Sequence, residues 1–373
     1  MNATTARVAV VFGGPSPEHD VSILTGLQAA HELASAGRAV TGLYWTKTGD
    51  WFRVDATLEA ADFVDGVPRG AEAVRLVAGG EGRGFAAPGR LGRPRPVELD
   101  VVVVGCHGSP GEDGTLQAAL DLAGVAYTGP GVASAALCMD KLAFAGLVGA
   151  AGLPALPRVL VDARTDDVAF PGPFVVKPRF GGSSIGVEVV KDLGTAVDRL
   201  DANLHLAAGA VLEPYRPDLF DLNVAVRAWP EPVLSAVERP LRSSEGAEIL
   251  GYTDKYVGGE GMASAPREIP ASLSPSLERA LRDAALEIVS LVEVRGVARI
   301  DFLSDGEALF VNEVNTVPGS LARHLWVDPP VPFLALLDAL VDEALARPTT
   351  RYSAAGADGT VLRSAGGIAG KLA

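Results

Sequence analysis

Arg299 and Asp301, then Glu313 and Asn315, are polar residues set two apart inside the apolar runs 296–303 and 308–316. Period-two spacing puts each pair on one face of a strand. With Ser304-Asp305-Gly306-Glu307 between them as a turn, the runs read as a hairpin on which two carboxylates and an amide oxygen converge beside one guanidinium. Buried carboxylates need partners or a metal. Three hard oxygen donors are what magnesium takes together with nucleotide phosphates. A salt-bridged edge hairpin is the plainer alternative, although pairing with one Arg does not require two acids and an amide. A two-residue Asp305-Gly306 turn would put Asp301 and Glu313 on opposite faces. A three- or five-residue loop or a bulge is therefore expected, with Gly306 at positive φ.

A second stretch, Phe174-Val175-Val176-Lys177-Pro178-Arg179-Phe180-Gly181-Gly182-Ser183-Ser184-Ile185-Gly186-Val187, reads as a strand ending in Lys177, a Gly/Ser loop, and a return strand over 185–190. The backbone N–H groups of Gly182, Ser183 and Ser184 can point at an anion, and Lys177 supplies positive charge at the loop base. Lys177 precedes the glycines and a strand follows, so this is not a Walker A loop. An ordinary glycine hairpin with a snorkelling Lys is the alternative.

Two further loops leave the ends of buried strands. Strand 8–12 runs into Gly13-Gly14-Pro15-Ser16-Pro17-Glu18-His19-Asp20-Val21-Ser22 and a helix to about residue 36. Strand 100–105 runs into Cys106-His107-Gly108-Ser109-Pro110-Gly111-Glu112-Asp113-Gly114 and another helix. Strand, glycine loop, helix is the ligand-binding edge of an open α/β sheet. Two such loops imply one shared cleft, with His107 facing a ligand. Glu18, His19 and Asp20 sit where a carboxylate either caps free N–H groups or meets a substrate ammonium, and capping suits Glu18 better than Asp20.

With 373 residues, the chain exceeds one ordinary core. The fold class expected is α/β: an N-terminal α/β domain over 1–130, a small α+β module over 131–213, a further sheet domain over 214–348, and a loosely docked tail over 349–373. Residues 55–96, rich in Gly, Arg and Pro, read as loops. Residues 242–266 read as a long functional loop because aromatic and basic side chains interrupt a polar, glycine-rich segment. Hydrophobic residues make up 48% and charged ones 21%, and no apolar run reaches the roughly 18 residues of a membrane span. No secretory signal opens the chain, which points to the cytoplasm. Cys106 and Cys138 form no metal or disulfide pattern and read as buried hydrophobes. A net charge of -14 disfavours nucleic acid, so an anionic ligand must be held by a few local Lys and Arg groups.

In order along the chain, seven motifs together resemble the D-alanine:D-alanine ligase family of the ATP-grasp superfamily, over residues 7 to about 346. They are Gly13-Gly14 with Glu18-His19 and Val21-Ser22; His107-Gly108 with Gly111-Glu112-Asp113-Gly114; Met139-Asp140-Lys141; Lys177-Pro178 with Gly182-Ser183-Ser184; Asp254-Lys255-Tyr256; Arg299 with Asp301; and Glu313-Val314-Asn315-Thr316-Val317-Pro318-Gly319. The resemblance implies a three-domain ATP-grasp fold with a Rossmann-like parallel-sheet N-terminal domain, and ATP-dependent joining of two amino acids through an acyl phosphate. The partners implied are small amino-acid substrates and a second copy of the chain.

The same resemblance implies roles for particular residues. ATP would be held by Lys141, Lys177, Ser183, Ser184, Glu213 at the adenine, Asp221 at the ribose, and Lys255. Two magnesium ions, or manganese in their place, would sit on Asp301, Glu313 and Asn315. Arg299 and the Gly319 N–H would stabilise developing charge, and Tyr256 in the 242–266 lid would reach Ser183. Asp20 would meet the first substrate's ammonium, where the family has the longer Glu. Glu18, His19, His107, Lys255, His324 and Leu325 would line the substrates, with His324 standing where the family has Ser. These two departures leave room for a specialised ligase with another amine partner, and a nucleotide-binding regulator without turnover is a third reading.

Overall fold

The computed structural model describes residues 1–373 except 81, 90–92, 242–265, 350–352, 366 and 368–373. Strand β1 (Val8–Gly13) is buried along its whole length, as a strand covered on both faces must be. Helix α1 (His19–Ser35) crosses over to β2 (Val40–Trp45), which pairs parallel with β1. A side chain at Gly26 would put its Cβ 2.3 Å from the Phe12 Cβ, so glycine there lets α1 lie directly on β1. Strands β3 (Trp51–Val54), β4 (Glu72–Val77), β5 (Gly84–Ala87) and β6 (Arg95–Pro96) extend the sheet antiparallel from β2. On the other side lie β7 (Val101–Val104), helix α2 (Thr115–Ala123) and β8 (Ala126–Tyr127), with both strands parallel. The sheet order is β6-β5-β4-β3-β2-β1-β7-β8. Residues 55–96, expected as loops, thus supply three strands. Those strands are short, and β5 is Gly-Phe-Ala-Ala, so pairing with a preformed edge decides their state rather than local propensity.

Helices α3 (Val132–Met139) and α4 (Lys141–Ala150) follow. The central sheet is antiparallel, built from β9 (Val159–Val161), β10 (Phe174–Pro178) and β11 (Glu188–Val190), then, after helix α5 (Leu193–Ala202), from β12 (Ala210–Pro214). Its order is β11-β10-β12-β9. The return strand β11 begins at Glu188 rather than at 185, because Ile185 and Val187 are taken up in turns closed by the Gly182 and Ser184 carbonyls.

The third sheet comprises β13 (Phe220–Arg227), β14 (Val233–Pro240), β15 (Arg267–Glu268), β16 (Val297–Ser304) and β17 (Leu309–Asn315), ordered β15-β14-β13-β16-β17. Helix α6 (Pro275–Leu291), opened by Ser274 as N-cap with Pro275 at the first position, buries Leu277, Leu281 and Ile288 against it. Cys138, Phe144 and Val148 of α3 and α4 join this same core, so 132–150 pack with the third sheet and not with the central module expected for 131–213.

After the segment Gly319–Leu325, kinked at residues 320–322 where the backbone is left-handed, come α7 (Phe333–Ala346) and the exposed α8 (Thr360–Ala365). Leu325, Trp326 and the α7 residues Leu336, Leu337, Leu340 and Val341 are buried in the core of the first sheet. Each such aliphatic side chain contributes roughly 1.5–3 kcal/mol. The segment expected to belong with 214–348 therefore returns to the N-terminal domain. Arg38 pairs with Asp338 at 2.7 Å, and the Ala3 N–H donates to Asp342 at 2.6 Å, at the same seam.

Candidate active site

The β16–β17 hairpin has the anticipated bulge. Ser304 pairs with Leu309 across the four residues 305–308, with Gly306 at φ 103. Without a shift that register would set Asp301 opposite Asn312 and turn Glu313 to the other face. The register slips by one between Asp301 and Phe302, leaving Asn312 as the extra residue, so Asp301 faces Glu313 and Arg299 faces Asn315. All four side chains share one face. Arg299 grips Asp301 through both carboxylate oxygens at 2.7 Å, and the Asn315 amide N–H donates to Asp301 at 3.0 Å.

Asp301 and Glu313 of that face line a cleft between the second and third sheets, with Lys141, Lys177, Gly181, Gly182, Ser184, Glu213 and Asp221 on its other walls. Asp140 caps α4 by accepting from the Leu142 and Ala143 N–H groups, and Arg179 of the glycine hairpin grips the same carboxylate. The arrangement holds Lys141 at the start of α4, where its ammonium donates to the Gly181 carbonyl and lies 3.5 Å from Glu313. Lys177 donates to Glu213 at 2.6 Å, and Arg158 donates to the other carboxylate oxygen. Burial works to raise the Glu213 pKa, but the charges of Lys177 and Arg158 outweigh it and leave the group lowered and ionised. Arg158 carries no sequence signal, being a lone Arg after Pro157.

At the mouth of the cleft the glycine loop meets the first loop of the N-terminal domain. Ser183 and Ser184 adopt left-handed backbone, φ 52 and 57, and the Ser183 hydroxyl donates to the Glu18 carboxylate. A Cβ on Gly108 would lie 2.5 Å from the same carboxylate, so His107-Gly108 closes over it as only glycine allows.

The acid that meets the glycine loop is thus Glu18 rather than Asp20. The Asp20 side chain is 77% exposed and turns outward to Lys47 at 3.3 Å. Glu18 precedes α1 as its N-cap, with non-helical backbone, and Asp20 lies in the first turn, so the two carboxylates leave the helix start in different directions. His19 is also removed from the substrate-lining set: it is buried, with its nitrogens on the Gly14 carbonyl and the Tyr44 hydroxyl, and burial lowers its pKa.

His107 is buried as well, bonded to Thr25 at 2.7 Å and to the Val317 backbone. Burial first, then the Arg299 charge, lowers its pKa to about 4. The same Thr25 hydroxyl accepts the Ser320 N–H at 3.0 Å. Leu325 is fully buried in the N-terminal core. His324 is part-exposed, with its ring 3.5 Å from Glu238, an acid that Asn223 and Arg267 also bind. Burial opposes ionisation of Glu238, but His324, Asn223 and Arg267 pull its pKa down to about 2. Lys255, Tyr256 and the expected lid lie outside the described residues.

Glu112, within the motif Gly111-Glu112-Asp113-Gly114, joins the N-terminal loop to the segment after β17. Buried, it accepts the Val317 N–H at 2.9 Å, the Thr316 hydroxyl at 3.3 Å and the Gly108 N–H at 3.3 Å. Burial and then the charge of Glu18 raise its pKa to about 7.

Among the described residues no three His, Cys, Asp or Glu side chains cluster as a metal site. The two acids and one amide of the hairpin instead form a partial set of oxygen donors, open to completion by phosphate oxygens and water, which fits magnesium carried in with a nucleotide.

Solved structures share this architecture. A D-alanine-D-alanine ligase from Coxiella burnetii aligns with a TM-score of 0.75 at 22% identity, covering 97% of this chain and 98% of that one. A D-Ala:D-Ser ligase from Enterococcus faecalis aligns with a TM-score of 0.73 at 25% identity, covering 91% and 99%. The fold, with its cleft between a glycine hairpin and an acidic hairpin, is that of the ATP-grasp class. Within it, the family model for the D-ala D-ala ligase N-terminus matches residues 7–130 and that for the C-terminus residues 160–342. A D-alanine--D-alanine ligase of Bradyrhizobium sp. (strain ORS 278) is 34% identical over 367 residues, covering 93% of this chain and 97% of its own. The chain belongs to the D-alanine–D-alanine ligase family, whose members are ATP-dependent ligases.

Proposed function

We propose that this chain joins two D-alanine molecules, converting ATP to ADP and phosphate. The observation that carries the reading is the Ser183–Glu18 contact: an acid of the N-terminal loop meets the glycine loop whose Gly182 and Ser184 line the same cleft as Asp301 and Glu313. Lys141, Lys177 and the 182–184 backbone bind the phosphates, Glu213 and Asp221 the nucleoside, and Lys255 belongs to the same set. Asp301, Glu313 and Asn315 would hold two magnesium ions, or manganese, which supply charge neutralisation at the phosphates. Glu18 receives the first substrate's ammonium and so aims its carboxylate at the γ-phosphate. A carboxylate oxygen displaces ADP there and forms an acyl phosphate. The second substrate's neutral amine then attacks the acyl carbon; phosphate leaves with the electron pair and takes the amine proton. Arg299 and the Gly319 N–H stabilise the oxyanion between these events. Ser183, with Tyr256 from the 242–266 lid, closes the site against water. The reading carries with it a homodimer working in the cytoplasm, where ATP and free amino acids meet.

With Glu18 in the cleft, the first subsite no longer departs from the family. His324 against Glu238 still does, and this favours a second reading in which the amine partner differs from D-alanine. ADP release measured with single and paired D- and L-amino acids tests both. D-alanine alone should support release; if no mixture containing D-alanine does, the proposal is wrong. His324→Ser should raise use of D-alanine as the amine partner on the second reading, and an unchanged partner profile would refute it.

A further inference from the structure

Arg158 precedes β9 and lies cross-strand from Glu213, extending the register in which Val159 faces Leu212. Lys177 lies diagonally on the other neighbouring strand, where Val175 faces Glu213, so the three side chains share one face. The Arg158 side chain is 5% exposed and makes three kinds of contact. Its Nε donates to Glu213, one terminal nitrogen donates to the Lys141 carbonyl at 2.8 Å, and the other to the Asn312 carbonyl at 3.3 Å. One guanidinium therefore joins the nucleoside acid, the first turn behind the phosphate lysine, and the bulge that turns Glu313 toward Asp301.

The Lys177 ammonium is engaged by the Glu213 carboxylate at 2.6 Å, yet the proposed function requires it at the nucleotide phosphates. When Lys177 turns to phosphate, Glu213 would be left as a buried carboxylate without compensation, which is strongly unfavourable. A second cation that does not leave removes that cost. We propose that Arg158 is a positioning residue for nucleotide binding: it remains on Glu213 while Lys177 is handed from the carboxylate to the phosphates, and the released Glu213 oxygen accepts the exocyclic amine of the adenine. The planar fork suits this task, because two of its donors are fixed to backbone carbonyls and the third to the acid. The inference rests on the nucleotide reading of this cleft.

Calorimetric binding of ADP with magnesium to the full chain, together with steady-state KM and kcat for ATP, tests it. Arg158→Met should weaken ADP binding and raise the KM for ATP about tenfold or more, with kcat changed less than about threefold. Glu213→Gln placed in the Arg158→Met background should recover ADP affinity, because a neutral amide needs no counter-ion, and Arg158→Lys should recover part of it by restoring the charge. Circular dichroism checks that each variant is folded, and the Lys variant serves if Met disturbs packing. Native-like ADP binding by Arg158→Met, or a double variant no tighter than Arg158→Met alone, overturns the inference while leaving the nucleotide reading intact. Failure of the native protein to bind ADP overturns both.

Discussion

Glu112 should make the stability of this protein fall as pH rises through the neutral range. Its carboxyl is raised from 4.5 to about 7 by burial and by the neighbouring charge of Glu18. Below 4.5 both folded and unfolded chains carry the proton, and the group costs nothing. Between 4.5 and about 7 only the folded chain holds it, so stability is lost with rising pH, and above about 7 the loss is complete. At about 1.36 kcal/mol per unit, the interval from about pH 5.5 to the folded value of about 7 amounts to about 2 kcal/mol. His107 works in the opposite direction: lowered from 6.5 to about 4, it withdraws stability as pH falls. A comparison with Glu112→Gln cancels that slope, because both proteins keep His107 while Gln cannot ionise and retains an oxygen for the Val317 N–H. Urea unfolding of both proteins at about pH 5.5 and about pH 8 is the assay. The native chain should lose about 2 kcal/mol more than Glu112→Gln over that interval. Equal pH dependence in the two would refute the reasoning, and with it the placing of a buried, protonated acid at the junction of the 108–112 loop and the 316–317 segment.

Two further outcomes follow from the site. Glu18→Gln should lower kcat/KM for amino-acid-dependent ADP release by roughly 100-fold or more, whereas Asp20→Ala should stay within about twofold; equal effects of the two would return Asp20 to the cleft. Glu313→Ala, or chelation of divalent cations, should abolish ADP release with circular dichroism unchanged, and near-native turnover of Glu313→Ala would remove the hairpin from metal binding.

Local rules settled much of this protein in the sequence alone. The runs 8–12 and 101–104 are continuous apolar strands that end in glycine loops, so a parallel sheet with a ligand edge was legible without coordinates. The need for an odd-residue loop or a bulge between Asp301 and Glu313 was legible too, because side-chain alternation is a parity rule that holds in any hairpin; the structure uses the bulge. Lys177 at the base of a Gly/Ser loop and the acids of 301–315 pointed by type and spacing to phosphate and metal chemistry, with an ordinary glycine hairpin and a salt-bridged edge hairpin as the plainer readings. Tertiary structure decided what depends on where distant segments meet. Whether Glu18 or Asp20 meets the glycine loop is decided at the start of α1 by the approach of Ser183 from 165 residues away. His19, His107 and Leu325 look like ligands in a motif, but Tyr44, Thr25 and the N-terminal core claim them. Arg158 is an ordinary residue in sequence. Its role exists only because Glu213, Lys141 and Asn312, from three different elements, bring their oxygens to one guanidinium, and no one-dimensional pattern records that meeting.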